Sequence, residues 1–326
     1  MRIGSLMPRS GLWLPRLDAL AARHPDHEFI LDPALVSARL GDFDVLIANG
    51  LSDLAFLGSG RLKALFLPFA GVNHLPLDAL ADRGVRVFNS HGNAEQVAER
   101  ALAMTLAFLG RIIPFHEDLR EGRWHGFWVG RGAEDQWDSL FDRKACIFGA
   151  GAIGSALAPL LKAFRCEVTA YRRHPELALP PGFDRVEGDF AAAVDGSELL
   201  FVALPLTPET RGIFSKDLLL GAKGKFLVNV GRGEVVDEEG LYLSLKQGVL
   251  RGAAIDTWYK YPQGGSTEGE PSRFPITLLP NVILSPHVAG SAREAARGNV
   301  DQTVGNLEEW LATGKGGREV YASRVY

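Results

Sequence analysis

The stretch ACIFGAGAIGSAL, residues 145–157, decides the fold. It contains glycines at the spacing GxGxxG, which are Gly149, Gly151 and Gly154. They follow an apolar, strand-like run and precede a helical pattern. In this motif the first glycine permits a tight turn, the second lets the backbone approach a pyrophosphate, and the third lets the helix pack closely on the strand. At the start of the helix, Ala152 and Ile153 present N–H groups to the phosphate. The stretch therefore predicts a dinucleotide-binding βαβ unit.

The residues after the next strand-like run, Val168 to Tyr171, indicate which dinucleotide binds. An NAD-selective site usually has an acidic residue about 20 positions after the glycines, which accepts hydrogen bonds from the ribose hydroxyls. Here Arg172 and Arg173 follow the strand instead. A guanidinium pairs bidentately with a phosphate, so we predict that these arginines bind the 2′-phosphate and that NADP(H) is preferred over NAD(H). Alternatively, both arginines are solvated at a strand end and the backbone holds the ribose.

Strand-like runs alternate with helical patterns on both sides of this stretch. From Lys144 to Leu284 six such runs follow one another, as in a doubly wound parallel sheet. A similar alternation begins at Ile3, and the amphipathic pattern from Ala292 to Leu311 is expected to return to that first domain. The predicted fold class is α/β, with two Rossmann-like doubly wound domains, a cofactor domain and a discontinuous, flavodoxin-like substrate domain. The predicted boundaries are 1–93 for the first part of the substrate domain, 94–293 for the NAD(P)-binding domain and 294–326 for the returning C-terminal helix.

The composition excludes several classes of partner. Of 326 residues, 46% are hydrophobic and 23% are charged, and the net charge is -4, so the basic field that nucleic-acid binding requires is missing. No window approaches the roughly 18 apolar residues of a membrane span, and we predict a cytoplasmic protein without a nucleic-acid or membrane partner. Cys146 and Cys166 lie in apolar runs without metal or redox spacing, which predicts buried thiols and no metal site.

Two polar residues follow predicted strands of the second run. Arg232 comes just after the strand that ends near Asn229, and His287 lies in SPHVAG, after the strand that ends at Leu284. In a doubly wound sheet the carboxyl ends of the strands face the ligand crevice. Reduction of a 2-keto acid by hydride needs a cation for the carboxylate and a proton donor for the developing alkoxide. The two side chains are candidates for these roles, although each taken alone is ordinarily a surface arginine or a structural histidine.

Three further segments, taken with the glycine loop, match a known family in order and spacing. They are LPLTPETRG at 204–212, NVGRGEVVDEE at 229–239 and GAAID at 252–256. On these motifs the chain resembles the D-isomer-specific 2-hydroxyacid dehydrogenase family, in particular its glyoxylate/hydroxypyruvate reductases, over nearly its whole length. The resemblance implies an oxidoreductase that transfers a hydride between NAD(P)H and a small 2-keto or 2-hydroxy acid.

The resemblance also implies roles for individual residues. Arg232 binds the substrate carboxylate and keto oxygen, His287 exchanges the hydroxyl proton, and Asp256 contacts the nicotinamide carboxamide. Backbone N–H groups of the loop that contains Gly71 and Val72 hold the substrate carboxylate. Further positions that the resemblance places around the cofactor are Leu204, Pro205, Val230, Gly231 and Gly290.

One position departs from the family pattern. A glutamate five residues after the Asp256 position usually pairs with the catalytic histidine and raises its pKa, but Tyr261 stands there in this chain. The Glu-Pro pair of the family comes nine residues late, at Glu270 and Pro271. Three alternatives stay open: Glu270 folds back and completes the catalytic set with His287, the hydroxyl of Tyr261 replaces it, or the histidine has no partner.

The passage after Arg111 is rich in glycine and tryptophan. Its tryptophans are Trp124, Trp128 and Trp137. The resemblance places this region in a subunit interface, and a homodimer is therefore predicted.

Two other functions on the same fold stay open. The unusual loop from Tyr259 allows a formate- or phosphite-type dehydrogenase. A dinucleotide-sensing binding protein would keep the fold without turnover, and the presence of both Arg232 and His287 argues against it.

Overall fold

The computed structural model describes residues 1–49, 60–126, 132 and 135–320. The chain divides into two compact units, of which unit 1 comprises Met1–Asn93 and Ser291–Tyr326 and unit 2 comprises Ala94–Gly290. The second division thus lies after residue 290 rather than after residue 293. Within the described ranges no helix combines the length and apolar character needed to cross a bilayer. Over the same ranges, no three His, Cys, Asp or Glu side chains gather as metal ligands.

Both units alternate short strands with helices. The strands are β1 (Arg2–Ser5), β2 (Glu28–Ile30), β3 (Val45–Ile47), β4 (Ala64–Phe66), β5 (Arg86–Phe88), β6 (Lys144–Phe148), β7 (Glu167–Tyr171), β8 (Arg185–Glu187), β9 (Leu199–Val202), β10 (Phe226–Asn229), β11 (Gly252–Ile255), β12 (Val282–Leu284) and β13 (Glu319–Val320). The α-helices are α1 (Leu14–Arg23), α2 (Pro33–Ser37), α3 (Leu77–Ala81), α4 (Ala94–Leu109), α5 (Ile112–Arg120), α6 (Ala152–Ala163), α7 (Phe190–Asp195), α8 (Lys216–Gly221), α9 (Glu238–Lys246) and α10 (Arg293–Thr313).

The sheet of unit 1 has the strand order β13-β5-β4-β3-β1-β2. Its neighbouring strands are parallel, apart from the antiparallel pair of β13 and β5. The C-terminal helix α10 belongs to this unit, because its Leu307 and Trp310 lie in one buried cluster with Ile3 of β1. An ion pair between Arg23 of α1 and Glu308, at 2.6 Å, joins the two helices at the surface.

The sheet of unit 2 has the order β12-β11-β10-β9-β6-β7-β8, and all its pairs are parallel. The chain first builds outward from β6 to β8 and then crosses back to β9 on the other side of β6. Ligands of doubly wound sheets bind at such a reversal, outside the carboxyl ends of the strands. The predicted α/β class with two doubly wound sheets is confirmed. The sequence analysis missed β8, which makes seven strands in this sheet rather than six.

Helices pack on both faces of the unit 2 sheet. Side chains of β6 alternate between the faces: Ile147 packs in a buried cluster with Ala101 of α4 and Leu157 of α6, whereas Phe148 packs with Leu241 of α9 on the other face. This is the usual environment of an all-parallel sheet. The two cysteines, Cys146 and Cys166, are buried free thiols, as predicted.

Candidate active site

The glycine loop joins β6 to α6 at the carboxyl edge of the unit 2 sheet. Gly149 has a φ of 107°, a left-handed conformation that favours glycine. A Cβ there would also lie 2.9 Å from the carbonyl oxygen of Ala203, just after β9. At Gly154 a Cβ would lie 2.2 Å from the carbonyl oxygen of Gly149. Turn geometry and packing therefore require glycine at both positions.

Gly151 differs from the other two glycines. A Cβ there would meet nothing within 4 Å in the part of the chain that the structure describes. Helix α6 begins directly after Gly151, and no side chain caps its first turn. The first N–H groups of a helix have no partner within the helix. The open space and the helix end fit a pyrophosphate held by the N–H groups of Ala152 and Ile153.

The structure separates two arginines that the sequence analysis treats as equivalent. Both follow β7, the neighbour of β6. The guanidinium of Arg172 donates to the carbonyl oxygens of Leu177 and Ala178, the latter at 2.9 Å, and so holds the loop that follows. The side chain of Arg173 is 65% exposed, with its guanidinium 3.9 Å from the carboxylate of Glu209. Arg173 is therefore the more accessible cation at this strand end.

The loops after β9 and β10 pack against each other beside the glycine loop. A Cβ at Gly231 would lie 2.6 Å from the carbonyl oxygen of Leu204, which is itself buried. The side chain of Asn229 fixes the second loop, because its Nδ2 donates to the carbonyl of Arg232 at 3.0 Å and its Oδ1 accepts from the N–H of Gly231 at 3.1 Å. The other predicted cofactor positions in these loops are Pro205, half-buried, and Val230, buried.

Arg232 lies in the loop after β10 and is half-buried. Its Nη1 donates to the carbonyl oxygen of Gly231 at 2.7 Å. Burial lowers the pKa of His287 and raises the pKa of Tyr261, and the positive charge of Arg232 adds a lowering contribution to both. Arg232 and His287 thus lie close enough for the charge of the arginine to act on the imidazole.

Asp256, at the end of β11, fixes the loop that carries the histidine. Its carboxylate is 1% exposed. One oxygen accepts hydrogen bonds from Ser285 Oγ at 2.5 Å and from the N–H of Val288 at 3.0 Å. The other accepts from the N–H of Ala289 at 3.1 Å. Both oxygens therefore hold the loop around His287, and the contact with a nicotinamide carboxamide stays a prediction.

His287 itself has a backbone φ of 58°, which is uncommon outside glycine. The residue as a whole is exposed, although neighbouring atoms partly desolvate its imidazole, and Gly290, half-buried, ends the loop. The pKa of His287 is lowered, chiefly because neighbouring atoms desolvate the imidazole; the charge of Asp256 opposes this shift and that of Arg232 adds to it. The imidazole is therefore neutral down to a lower pH than an ordinary histidine.

The side chain beside His287 is Tyr261. The centroids of the two rings are 5.2 Å apart and their planes are tilted by 46°. The hydroxyl of Tyr261 accepts a hydrogen bond from the backbone N–H of Trp258 at 3.0 Å. The hydroxyl of Tyr261 is thus bonded to Trp258 and not to the imidazole, so the structure does not show the alternative in which this hydroxyl partners His287; the contact that it shows is between the two rings.

The alternative in which Glu270 folds back to His287 is wrong in this structure. The backbone N–H groups of Tyr259 and Lys260 both donate to the carbonyl of Pro271, at 3.2 and 3.0 Å, which closes the inserted loop on itself. Glu270 is exposed. Among the described residues, no carboxylate forms an ion pair with His287.

Two residues that the sequence analysis missed also support the histidine loop. The indole Nε1 of Trp258 donates to the carbonyl of Ser285 at 2.8 Å. Arg100 of α4 donates to the hydroxyl of Ser285 at 3.3 Å. Trp258 and Arg100 are 27 and 185 positions from Ser285 in the sequence, so no local sequence pattern predicts these contacts.

Gly71 and Val72 lie in unit 1, in the loop after β4. The side chain of Val72 is fully buried, and the carbonyl of Ala70 accepts a hydrogen bond from the side chain of Asn89 at 2.8 Å. The role of Gly71 and Val72 in binding a carboxylate stays a prediction.

The tryptophan-rich passage follows α5 in unit 2. Trp124 and Trp137 are 60% and 62% exposed, and Trp128 lies outside the described residues. Between them, His125 forms an ion pair with Asp135 at 2.6 Å, and this contact fixes part of the passage. Exposed apolar side chains on a fixed segment are typical of association surfaces. The homodimer stays a prediction.

Comparisons with known proteins agree with this geometry. A family model described as D-isomer specific 2-hydroxyacid dehydrogenase, NAD binding domain, matches residues 102–289, more than half of the chain. Glyoxylate/hydroxypyruvate reductase A of Arabidopsis thaliana is 34% identical over 244 residues, which cover 73% of this chain and 72% of that protein. Hydroxyphenylpyruvate reductase of Plectranthus scutellarioides is 33% identical over 242 residues, with coverages of 73% and 72%.

A solved structure resembles the whole fold. The crystal structure of NADPH-dependent glyoxylate/hydroxypyruvate reductase from Sinorhizobium meliloti, in complex with NADP and malonate, has a TM-score of 0.71 and 28% identity. The match covers 98% of this chain and 96% of that one. The chain therefore belongs to the D-isomer specific 2-hydroxyacid dehydrogenase family and is an NAD(P)-dependent oxidoreductase.

Proposed function

We propose that the chain reduces small 2-keto acids to D-2-hydroxy acids, with NADPH as the preferred hydride donor. The observation that carries this proposal is the placement of Arg232 and His287 after β10 and β12, on the two sides of β11. Asp256, at the end of β11, holds the histidine loop between them through its buried carboxylate. A permanent cation and a titratable proton donor thus share one edge of the sheet, as a keto-acid reductase requires.

Each side chain has a separate task in this mechanism. The guanidinium of Arg232 binds the substrate carboxylate and draws electron density from the keto oxygen. The imidazolium of His287 protonates that oxygen as negative charge develops on it. The N–H groups after Gly151 would hold the dinucleotide, which when bound supplies the hydride to carbon 2 of the keto acid. In the reverse direction, neutral His287 accepts the hydroxyl proton.

The first test is turnover of the purified chain. We expect NADPH to be oxidised, measured by the loss of reduced-nicotinamide absorbance, with at least one acid from a panel of glyoxylate, hydroxypyruvate, pyruvate and 4-hydroxyphenylpyruvate. The names of two relatives suggest glyoxylate, hydroxypyruvate and a hydroxyphenylpyruvate, and pyruvate is added as a simple 2-keto acid. For every acid in the panel except glyoxylate, whose product glycolate is achiral, chiral analysis of the product should give the D-isomer.

Other outcomes separate the remaining functions. Reduction of NAD(P)⁺ by formate or phosphite, without activity on any keto acid, would replace the proposal with the formate-type reaction. Binding of NADPH, measured by the change in its fluorescence, without turnover of any of these substrates would point to a dinucleotide sensor.

We expect Arg173→Ala to raise the KM for NADPH about tenfold to a hundredfold, while the KM for NADH changes little. A charge-assisted hydrogen bond to the 2′-phosphate is lost in this variant, and NADH has no such phosphate. Arg172→Ala should act differently, because the Arg172 guanidinium is already engaged with the carbonyls of Leu177 and Ala178. Loosening of that loop affects both cofactors alike. Steady-state kinetics with each cofactor measures the difference.

A matched control is available on the opposite edge of the sheet. Arg165, just before β7, is 64% exposed and paired with Asp142 at 2.7 Å. Arg165→Ala removes an equivalent surface charge, and both KM values should stay unchanged. If Arg173→Ala affects NADPH and NADH equally, the arginine does not read the 2′-phosphate and the preference for NADPH has another origin.

A further inference from the structure

Tyr261 occupies the chain position at which the family pattern has a glutamate, and its ring packs on the imidazole of His287 at a centroid distance of 5.2 Å. Resting on the proposed function, we infer that Tyr261 is the positioning residue for His287: ring packing, rather than a carboxylate, sets the orientation of the proton donor. Two features of unit 2 carry this inference, namely the way the tyrosine is anchored and the freedom that the histidine would otherwise have.

The tyrosine is anchored to the same framework as the histidine loop. Its hydroxyl accepts from the backbone N–H of Trp258 at 3.0 Å. The indole of Trp258 donates in turn to the carbonyl of Ser285, two residues before His287, at 2.8 Å. Trp258 is 5% exposed and its bond to Ser285 is buried, whereas Tyr261 is 42% exposed and its bond to Trp258 is only partly buried. The hydroxyl is therefore used to hold the tyrosine, and the ring is the part that meets His287.

The backbone of His287 is fixed, but its side chain lacks a polar tether. Asp256 binds the N–H groups of Val288 and Ala289, which follow the histidine. In the described part of the chain, no carboxylate pairs with the imidazole. Rotation of the imidazole about its side-chain torsions is therefore limited in this unit by the contact with Tyr261. An acid that must meet a keto oxygen in one geometry loses rate when it rotates freely.

Exchange of a carboxylate for a tyrosine also changes the charge around the imidazole. Among the described residues, the charged groups that act on His287 are Asp256, directly after β11, and Arg232, after β10. Glu234 acts on Tyr261, but less than the desolvation of its ring. Without a carboxylate in contact, desolvation dominates and lowers the pKa of His287. Reduction needs the imidazolium, so the rate of reduction should fall as pH rises through this lowered pKa. Oxidation needs the neutral imidazole, so the rate of oxidation should be maintained as pH falls, down to the same lowered pKa.

The experiment uses the full-length chain with three substitutions at one position. Tyr261→Phe keeps the ring, Tyr261→Leu keeps an apolar side chain without the ring, and Tyr261→Glu supplies the carboxylate of the family pattern. Tyr242→Phe is the control, since Tyr242 stacks on Phe274 elsewhere in the unit at 5.3 Å. For each variant, kcat and KM are measured across pH. The pH dependence of His287 carbethoxylation by diethyl pyrocarbonate, followed by peptide mass spectrometry, reports the neutral imidazole without any turnover.

The expected results separate ring packing from a merely structural role. Tyr261→Phe keeps the ring but loses the anchoring hydrogen bond from Trp258, so it should lower kcat by no more than about a few-fold. Tyr261→Leu should lower kcat about tenfold or more with little change in KM. Tyr261→Glu should move both the fall of the reduction rate and the midpoint of carbethoxylation to higher pH. A parent-like kcat in Tyr261→Leu, or an equal loss in Tyr261→Phe, would overturn the inference. If no keto acid is reduced at all, the proposed function fails. The inference about Tyr261 is then tested by carbethoxylation alone, and an unshifted midpoint in Tyr261→Glu would overturn it.

Discussion

His287→Gln is expected to lower kcat by about 10²- to 10⁴-fold, the usual contribution of a positioned general acid or base. Glutamine keeps a polar side chain of similar reach but has no transferable proton at neutral pH. KM for the keto acid should change much less, because Arg232, not His287, binds the carboxylate. Binding of NADPH should be unaffected. Steady-state kinetics with the best keto acid, together with a fluorescence titration of the cofactor, measures both parts.

His116→Gln is the matched control for this variant. His116 is an exposed histidine on α5, in the same unit, and its replacement should leave kcat unchanged. A His287→Gln variant that retains kcat within a few-fold would mean that water or another group delivers the proton. The pH profile then discriminates further, since the loss of rate with rising pH should disappear when His287 no longer titrates.

The glycine loop could be predicted from sequence because its constraints are local. Gly149, Gly151 and Gly154 lie within six residues, between a strand and a helix that the apolar pattern already marks. Each constraint acts between the turn and its immediate neighbours, such as the close approach of Gly154 to the carbonyl of Gly149. The same argument explains why the sheet of unit 2 was predicted well: its central strands are buried on both faces and therefore read as apolar runs.

The missed strands are short and lie at places where the apolar signal is weak. β8, with the sequence RVE, is an edge strand that places charged residues at both ends, and only three residues of it pair with β7. β13 has two residues and pairs antiparallel with β5. Edge strands commonly carry charge, because charge protects them from pairing with other chains. Periodicity over such short segments cannot distinguish a strand from a loop.

The details of the site depend on contacts that the sequence does not encode locally. The residues after the predicted strand suggested the same role for Arg172 and Arg173, but the first guanidinium binds carbonyl oxygens of the loop that follows β7. In the same way, the Glu-Pro pair suggested that Glu270 replaces the missing carboxylate, whereas the inserted loop closes on itself and leaves that side chain exposed. The contact between the tilted rings of Tyr261 and His287 joins residues that are 26 positions apart, and only the fold brings them together.

Gly151→Val is expected to weaken the binding of NADPH about a hundredfold or more while leaving the stability of the fold almost unchanged. The backbone of Gly151 has a φ of -80°, which a side chain tolerates. A Cβ there meets no described atom within 4 Å, so the valine enters open space. That space is where the pyrophosphate would approach the first N–H groups of α6. Fluorescence titration with NADPH and thermal unfolding measure the two effects separately.

Gly154→Val provides the contrast, because its Cβ would lie 2.2 Å from a backbone oxygen that cannot move aside. Overpacking of this kind costs about 1–3 kcal/mol or more, so this variant should lose stability as well as binding. If Gly151→Val destabilises the fold as strongly as Gly154→Val, Gly151 is required by packing and says nothing about a ligand. If Gly151→Val keeps both its stability and its affinity for NADPH, the pyrophosphate does not approach this turn, and the cofactor site must be sought elsewhere. If Gly151 lies against the pyrophosphate, Gly151→Val should lose affinity for NADPH while the stability of the fold stays unchanged.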